Sequence, residues 1–174
     1  MFTKSDYVVL DTETTGLGSD ARICEISIID MSGNVLLDTL VNPEVEIPSD
    51  AIAIHGITNQ MVDSAPTIES ISNLIRDALS GKVLAIYNAD YDIRLLNQSL
   101  GNIDWNTSDC SFCVMCNYAE FYGELNYYGD FKWQRLTNAC HQQGIDISEF
   151  TAHRALGDCQ MTVALMNSFM DFAG

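Results

Sequence analysis

The apolar run Tyr7-Val8-Val9-Leu10 stops at Asp11-Thr12-Glu13, and a second run, Val83-Leu84-Ala85-Ile86-Tyr87, stops at Asn88-Ala89-Asp90-Tyr91-Asp92. Short continuous apolar runs of this kind read as strands buried on both faces, inside a sheet covered by helices. Side chains alternate along a strand, so Asp11 and Glu13 project to the same side and one strand end delivers two carboxylates to one point. Asp90 and Asp92 follow the second strand, at the carboxyl edge where open α/β sheets collect their ligands. The pattern constrains the chain to a fold that brings acids from distant strands together. A carboxylate cluster without cysteine or histidine suits hard divalent ions, and the expected cofactor is Mg²⁺ or Mn²⁺.

Near the C-terminus, His153 precedes Asp158 by five residues. On one continuous helix they would point about 140° apart at 3.6 residues per turn. Both can face one site only if His153 lies before the helix or at its very start, with Thr151-Ala152-His153 as a loop. The helix then carries Ala155, Asp158, Thr162 and Leu165 along one face. An imidazole on such a loop can take a proton from water near neutral pH.

The remaining pattern predicts an α/β fold: a central mixed sheet, a three-stranded antiparallel meander plus parallel strands, flanked by helices. Ile23 to Asp30 alternates, and Ser32-Gly33-Asn34 turns it into Val35 to Val41. Pro43 to Asp63 reads as an irregular loop with a short turn near Pro48-Ser49-Asp50. Pro66-Thr67 predicts a helix start, with Ile68, Ile71, Ile75 and Leu79 on one face and Gly81 as its stop. Asp92 is expected to open a helix through Leu100, ended by Gly101, and a short strand is expected near Phe112. Helices are predicted over Val114 to Tyr122 and Lys132 to Gln143. Gly123 to Asp130 reads as a loop, with Tyr127 and Tyr128 expected to pack under it and stacking on a ligand as the alternative. Residues 1–174, 47% hydrophobic, are expected to form a single domain.

Three motifs in this order, Asp11-Thr12-Glu13-Thr14-Thr15-Gly16-Leu17, Asn88-Ala89-Asp90-Tyr91-Asp92 and His153-Arg154-Ala155-Leu156-Gly157-Asp158, resemble the DEDD 3′–5′ exonuclease superfamily, in the DEDDh branch that carries a histidine five residues before the last aspartate. The likeness runs from about Tyr7 to Met166. A fourth stretch, Ala53-Ile54-His55-Gly56-Ile57-Thr58, resembles the DNA-directed members, bacterial polymerase proofreading subunits and exonuclease X among them. The resemblance implies an RNase H-like fold and release of nucleoside monophosphates from a 3′ end. It implies Asp11, Glu13, Asp92 and Asp158 as ligands of two metal ions and His153 as general base. Thr12, Thr14, Gly16, Leu17, Ile54, His55, Asn88 and Tyr91 are the expected substrate contacts, although His55 taken alone reads equally as a loop histidine satisfied internally. Asp90 and Tyr87 depart from the family pattern, which often has a small residue and a histidine there. Asp90 is expected to sit exposed.

The charge is unusual for a polyanion-binding protein: −16, with 8 Lys plus Arg against 24 Asp plus Glu. A long basic groove is not available. Recognition of a short 3′ terminus through metals, backbone amides and stacking is expected, with Arg22, Arg94, Lys132, Arg135 and Arg154 as candidate phosphate contacts. A polymerase or other protein partner supplying the grip is the alternative. DNA is the favoured substrate, RNA trimming the nearest alternative, and a non-catalytic binding module or an acidic nucleic-acid mimic the readings from other classes. No run has membrane-spanning length and no signal-peptide core follows Met1, so no membrane and a cytoplasmic location, host cytoplasm for a viral source, are expected. Cys110, Cys113 and Cys116 have a spacing seen in some metal sites, but reduced, buried thiols are the expected reading.

Overall fold

The structure is a computed structural model that describes residues 3–100 and 111–172. One five-stranded sheet has the order β3-β2-β1-β4-β5, where β1 is Tyr7–Thr14, β2 Ile23–Asp30, β3 Val35–Leu40, β4 Val83–Ile86 and β5 Ser111–Cys113. The first three strands pair antiparallel, β4 runs parallel to β1, and β5 parallel to β4. The meander joined to parallel strands is therefore as expected, and β1 lies at the centre.

Alternation along β1 divides the core into two layers. Val8 and Leu10 pack on one face with Ile75 and Leu79 of α3 (Ser72–Leu79) and Leu95 and Leu96 of α4 (Ala89–Leu100). Tyr7 and Val9 pack on the other face. They meet Tyr118 of α5 (Val114–Tyr122), Cys140 of α6 (Leu136–Gln142) and Cys159, Leu165 and Met166 of α7 (Ala155–Phe169). Burying each such aliphatic side chain contributes about 1.5–3 kcal/mol, which is what fixes the register of β1.

Several elements differ from the sequence expectation. The stretch read as an irregular loop contains α1 (Ser49–His55) and α2 (Asn59–Val62). Pro48 stands at the N-cap of α1, and Gly56, at φ 74°, ends it in a left-handed cap that L side chains rarely adopt. Ile47, Ala51, Ile57 and Val62 give this segment a small core of its own against Cys24. The helix expected from Pro66-Thr67 starts later, at Ser72, because Thr67 is drawn into a parallel bridge with Asn42. α4 opens at Ala89 rather than at Asp92, which puts Asp92 in its first turn. α6 opens at Leu136 rather than Lys132, because Phe131 bridges back to Leu125 and the Lys132 N–H donates to the Glu124 carbonyl at 2.8 Å. Tyr127 and Tyr128 do not pack under their loop: they are 96% and 85% exposed. Gly101 and Cys110 lie outside the described residues. No described helix is long and apolar enough to cross a membrane.

Candidate active site

The alternation that builds the core also builds the site. Asp11 and Glu13 continue the Val9 side of β1 toward α7, while Thr12 and Thr14 continue the Leu10 side toward α4. On the α7 side, Asp11, Glu13 and Asp158 each offer a carboxylate oxygen within 4.8 Å of the others. On the α4 side, Thr12 Oγ1 donates to Asp92 Oδ1 at 2.6 Å. Asp92 is buried, and of the neighbouring charges it acts most strongly on Asp11. Three of the four predicted ligands thus form a tight group, and Asp92 lies outside it, near enough for its charge to act on Asp11.

Burial and mutual repulsion hold these acids toward their neutral forms. Burial, then the charges of Asp92, Asp158 and Glu13, raises Asp11 well above the ordinary carboxylate range. Burial, with Asp158 and Glu25 nearby, pushes Glu13 up to about 8. Burial also pushes Asp92 to about 7 against the hydrogen bonds from Thr12, and Asp158 to about 6 against the His153 N–H. An oxygen-only set of clustered, partly desolvated carboxylates is the donor set of a hard divalent cation, whose charge relieves the repulsion.

His153 lies two residues before α7, as its spacing to Asp158 requires. It is exposed, its backbone has φ 60°, and its N–H donates to Asp158 Oδ1 at 3.3 Å. The loop is pressed onto α7 at Gly157, where a Cβ would come 2.1 Å from the Thr151 carbonyl oxygen. The next residue, Arg154, was expected among the phosphate contacts but is engaged inward. Its Nε reaches both Glu25 oxygens at 3.0 and 3.1 Å, and Nη2 pairs with Oε1. Glu25 Oε2 also accepts the Ala155 N–H at 2.9 Å, tying the first turn of α7 to β2. Sequence reasoning missed Glu25, a buried acid inside an otherwise buried apolar strand directly opposite Glu13. A charge in the buried part of such a strand was the signal that it needed a partner.

An open cleft of about 500 Å³ adjoins the acids, and all eight predicted substrate contacts line it. Leu17 and Ile54 stand at 81% and 62% exposure, as apolar edges of the cleft. Thr14 Oγ1 and Tyr91 OH share a hydrogen bond at 2.6 Å, and both reach the Gly16 carbonyl. His55 forms part of the wall, but both ring nitrogens are used internally. Nδ1 accepts the Ile57 N–H at 3.0 Å and Nε2 donates to the Thr14 carbonyl at 3.2 Å. That pattern requires the neutral ring, which burial favours. The internally satisfied reading of His55 therefore describes it, as a tie between α1 and the end of β1. Asp50 and Ala51 also line the cleft and were missed because their helix was read as loop.

Of the other candidate phosphate contacts, Arg94 donates to the carbonyls of Gly18 and Leu17 at 3.1 and 3.3 Å and lies over the Tyr91 ring. Arg22 donates to its neighbouring carbonyl, and Lys132 pairs with Glu124 at 2.6 Å. Asp90 is exposed, as expected. Cys113 and Cys116 are half-buried free thiols, and Cys140 is buried with its thiol donating to the Met161 carbonyl. Among the described residues the carboxylates are the one group of three or more residues able to hold a metal.

A model of the RNase T exonuclease family matches residues 8–166. The chain belongs to this family. The exonuclease is 42% identical over 173 residues to an uncharacterized exonuclease of Escherichia phage 186, covering 95% of this chain and 88% of the phage protein. It is 28% identical to DNA polymerase III subunit epsilon of Pasteurella multocida, over 88% of this chain but 64% of that protein. Exonuclease X, solved in complex with 5′-overhanging duplex DNA, superposes with a TM-score of 0.69 at 26% identity, over 92% of this chain and 91% of that one. E. coli exonuclease I, solved with a dA16 oligonucleotide, shares the fold with a TM-score of 0.73 at 19% identity, over 94% of this chain and 40% of that one. The expected RNase H-like fold and membership of the DEDD 3′–5′ exonuclease superfamily are both borne out.

Proposed function

We propose that this exonuclease is a DEDDh-type exodeoxyribonuclease, which removes nucleoside monophosphates one at a time from a DNA 3′ end. The observation that carries the reading is the meeting of Asp11, Glu13 and Asp158 within 4.8 Å beside Asp92, with His153 on an exposed loop tied to one of those acids. Two Mg²⁺ or Mn²⁺ ions held by the four carboxylates would supply a water of lowered pKa and charge to stabilise the attacking and leaving oxygens. His153 would accept the proton of the attacking water, and its exposed ring can adjust to the substrate. Thr12 keeps Asp92 aimed at the acid group while Tyr91 and Thr14 fix the Gly16 carbonyl at the cleft. The terminal nucleotide lies in the cleft, its base against Leu17 and Ile54. DNA is favoured by the Ala53–Thr58 stretch and by the duplex DNA in the solved exonuclease X structure.

End-labelled single-stranded DNA and an RNA of matching sequence, incubated with Mg²⁺, with Mn²⁺ and with chelator, test the proposal. Stepwise, metal-dependent shortening of DNA from its 3′ end, absent in Asp11→Ala, is the expected result. Shortening of the RNA alone would reverse the sugar assignment, and no product from either strand would remove the catalytic reading.

A further inference from the structure

The segment between α5 and α6 carries an unusual surface. Leu125, Tyr127, Tyr128, Phe131 and Trp133 are 57%, 96%, 85%, 45% and 66% exposed. Exposed rings clustered this densely in one short segment form an apolar patch of the kind that marks a binding surface.

The hairpin is ordered by its own backbone. The Asn126 N–H donates to the Asp130 carbonyl at 2.8 Å, Gly129 donates back to Asn126 at 3.1 Å, and Asn126 Oδ1 accepts the N–H groups of Tyr128 and Asp130. Its base is clamped by Lys132 on Glu124 and by Gln134 Nε2 on the same carboxylate at 2.9 Å. A turn this well tied holds the Tyr127 and Tyr128 rings out in water, set edge to face with centroids 5.4 Å apart.

The hairpin is also tied to the site. Tyr87 OH donates to the Gln134 carbonyl at 2.8 Å, and the next residue, Asn88, lines the cleft. Arg135, immediately after Gln134, is exposed, and its side chain has no hydrogen-bond or ion-pair partner among the described residues. Arg154, Arg94 and Lys132, by contrast, are all engaged with the protein itself. A protein of charge −16 cannot hold a nucleic-acid strand through a row of cations. Stacking of bases on aromatic rings tolerates every sequence and needs no positive charge.

We propose that the Leu125–Trp133 hairpin, with Arg135 at its base, is a stacking platform for the unpaired bases of the strand whose 3′ end enters the cleft. This deepens the exonuclease reading and rests on it for the identity of the strand. Unpaired bases are the specific occupant, because a duplex has already stacked the faces these rings would cover.

The test uses labelled dT20 in chelator, so that binding is read without turnover, and a dinucleotide, pdTdT, hydrolysed with Mg²⁺. The full chain is compared with Tyr127→Ala, Tyr128→Ala and Trp133→Ala, and with the corresponding Leu and Phe variants. These side chains are exposed, and unchanged melting temperatures check that each variant is folded. The expected result is quenching of Trp133 fluorescence by dT20, about tenfold weaker dT20 binding for each Ala and Leu variant, binding retained by the Phe variants of the two tyrosines, and unaltered dinucleotide turnover. Absence of quenching, wild-type dT20 affinity in the Ala variants, or rescue by Leu would overturn the proposal. So would a dimer of the chain that dissociates when the rings are removed, which would assign the surface to a second copy. Strand binding through the rings with no hydrolysis of any substrate would leave the platform standing and remove the exonuclease proposal instead.

Discussion

Arg154 and Glu25 form a forked ion pair that fastens the His153 loop to the middle of the sheet. The Arg154 side chain is 38% exposed, but Glu25 is buried, and its second oxygen also caps α7 through the Ala155 N–H. Arg154→Ala leaves that carboxylate buried and unpaired, a change that costs about 3–5 kcal/mol of stability. Glu25→Gln keeps an acceptor for Ala155 while losing the charge for Arg154, so it should spare more of the fold and still let the loop drift. The expected outcome is a lower kcat with little change in KM. A KM effect alone would place Glu25 in substrate binding rather than in holding the loop.

His153→Ala should reduce turnover by about 10²–10⁴, the range for losing a general base. Metal binding should be largely kept, since the Asp158 carboxylate is bonded to the backbone N–H of residue 153 and not to its ring. Single-turnover rates together with a metal titration check this, and turnover near that of the native protein would end the assignment.

Thr12 is the only hydroxyl seen on Asp92 among the described residues. Thr12→Val keeps the shape and removes the donor. Loss of a partner that orients a ligand typically lowers metal affinity or activity by about 10–100-fold. Isothermal titration with Mn²⁺ should show the weaker binding, while the melting temperature at saturating metal stays close to that of the unaltered chain.

Without metal, the acids of the site should make the protein less stable as pH rises. Glu13, Asp92 and Asp158 hold their protons more tightly folded, at about 8, 7 and 6, than an unfolded carboxyl does at about 4. Folding therefore takes up protons between these values. Their contribution is fully present below about pH 4 and is lost as pH rises through about 8. Melting temperatures in chelator should fall across that window, and Mg²⁺ should raise them more at pH 8 than at pH 6. A flat profile in chelator would mean that the acids do not repel one another in solution.

The sheet and the acids were legible because each rests on a local rule. Two apolar runs gave β1 and β4, alternation paired Asp11 with Glu13, and the angle between His153 and Asp158 forced a loop before α7. What escaped rests on distant partners. Nothing near Thr67 reveals the Asn42 bridge that delays α3, and nothing near Lys132 reveals that Glu124 will hold it out of α6. His55 and Arg154 carried the right chemistry for a ligand, and only the fold shows that the Thr14 carbonyl and Glu25 had already taken them. The tyrosines at 127 and 128 looked like ordinary packing residues until a well-tied turn was found to face them outward.

Between Val9 and Thr14 the strand assigns odd positions to the acid group and even positions to its supports. Such a segment can absorb an exchanged letter, because a substitution spoils one position and leaves the parity intact. A deletion or insertion of a single codon here is a different injury: it would turn the threonines toward α7 and the acids toward α4 in one stroke. In a saturation library of this stretch, the frame-preserving length changes should be the class from which no active clone is recovered.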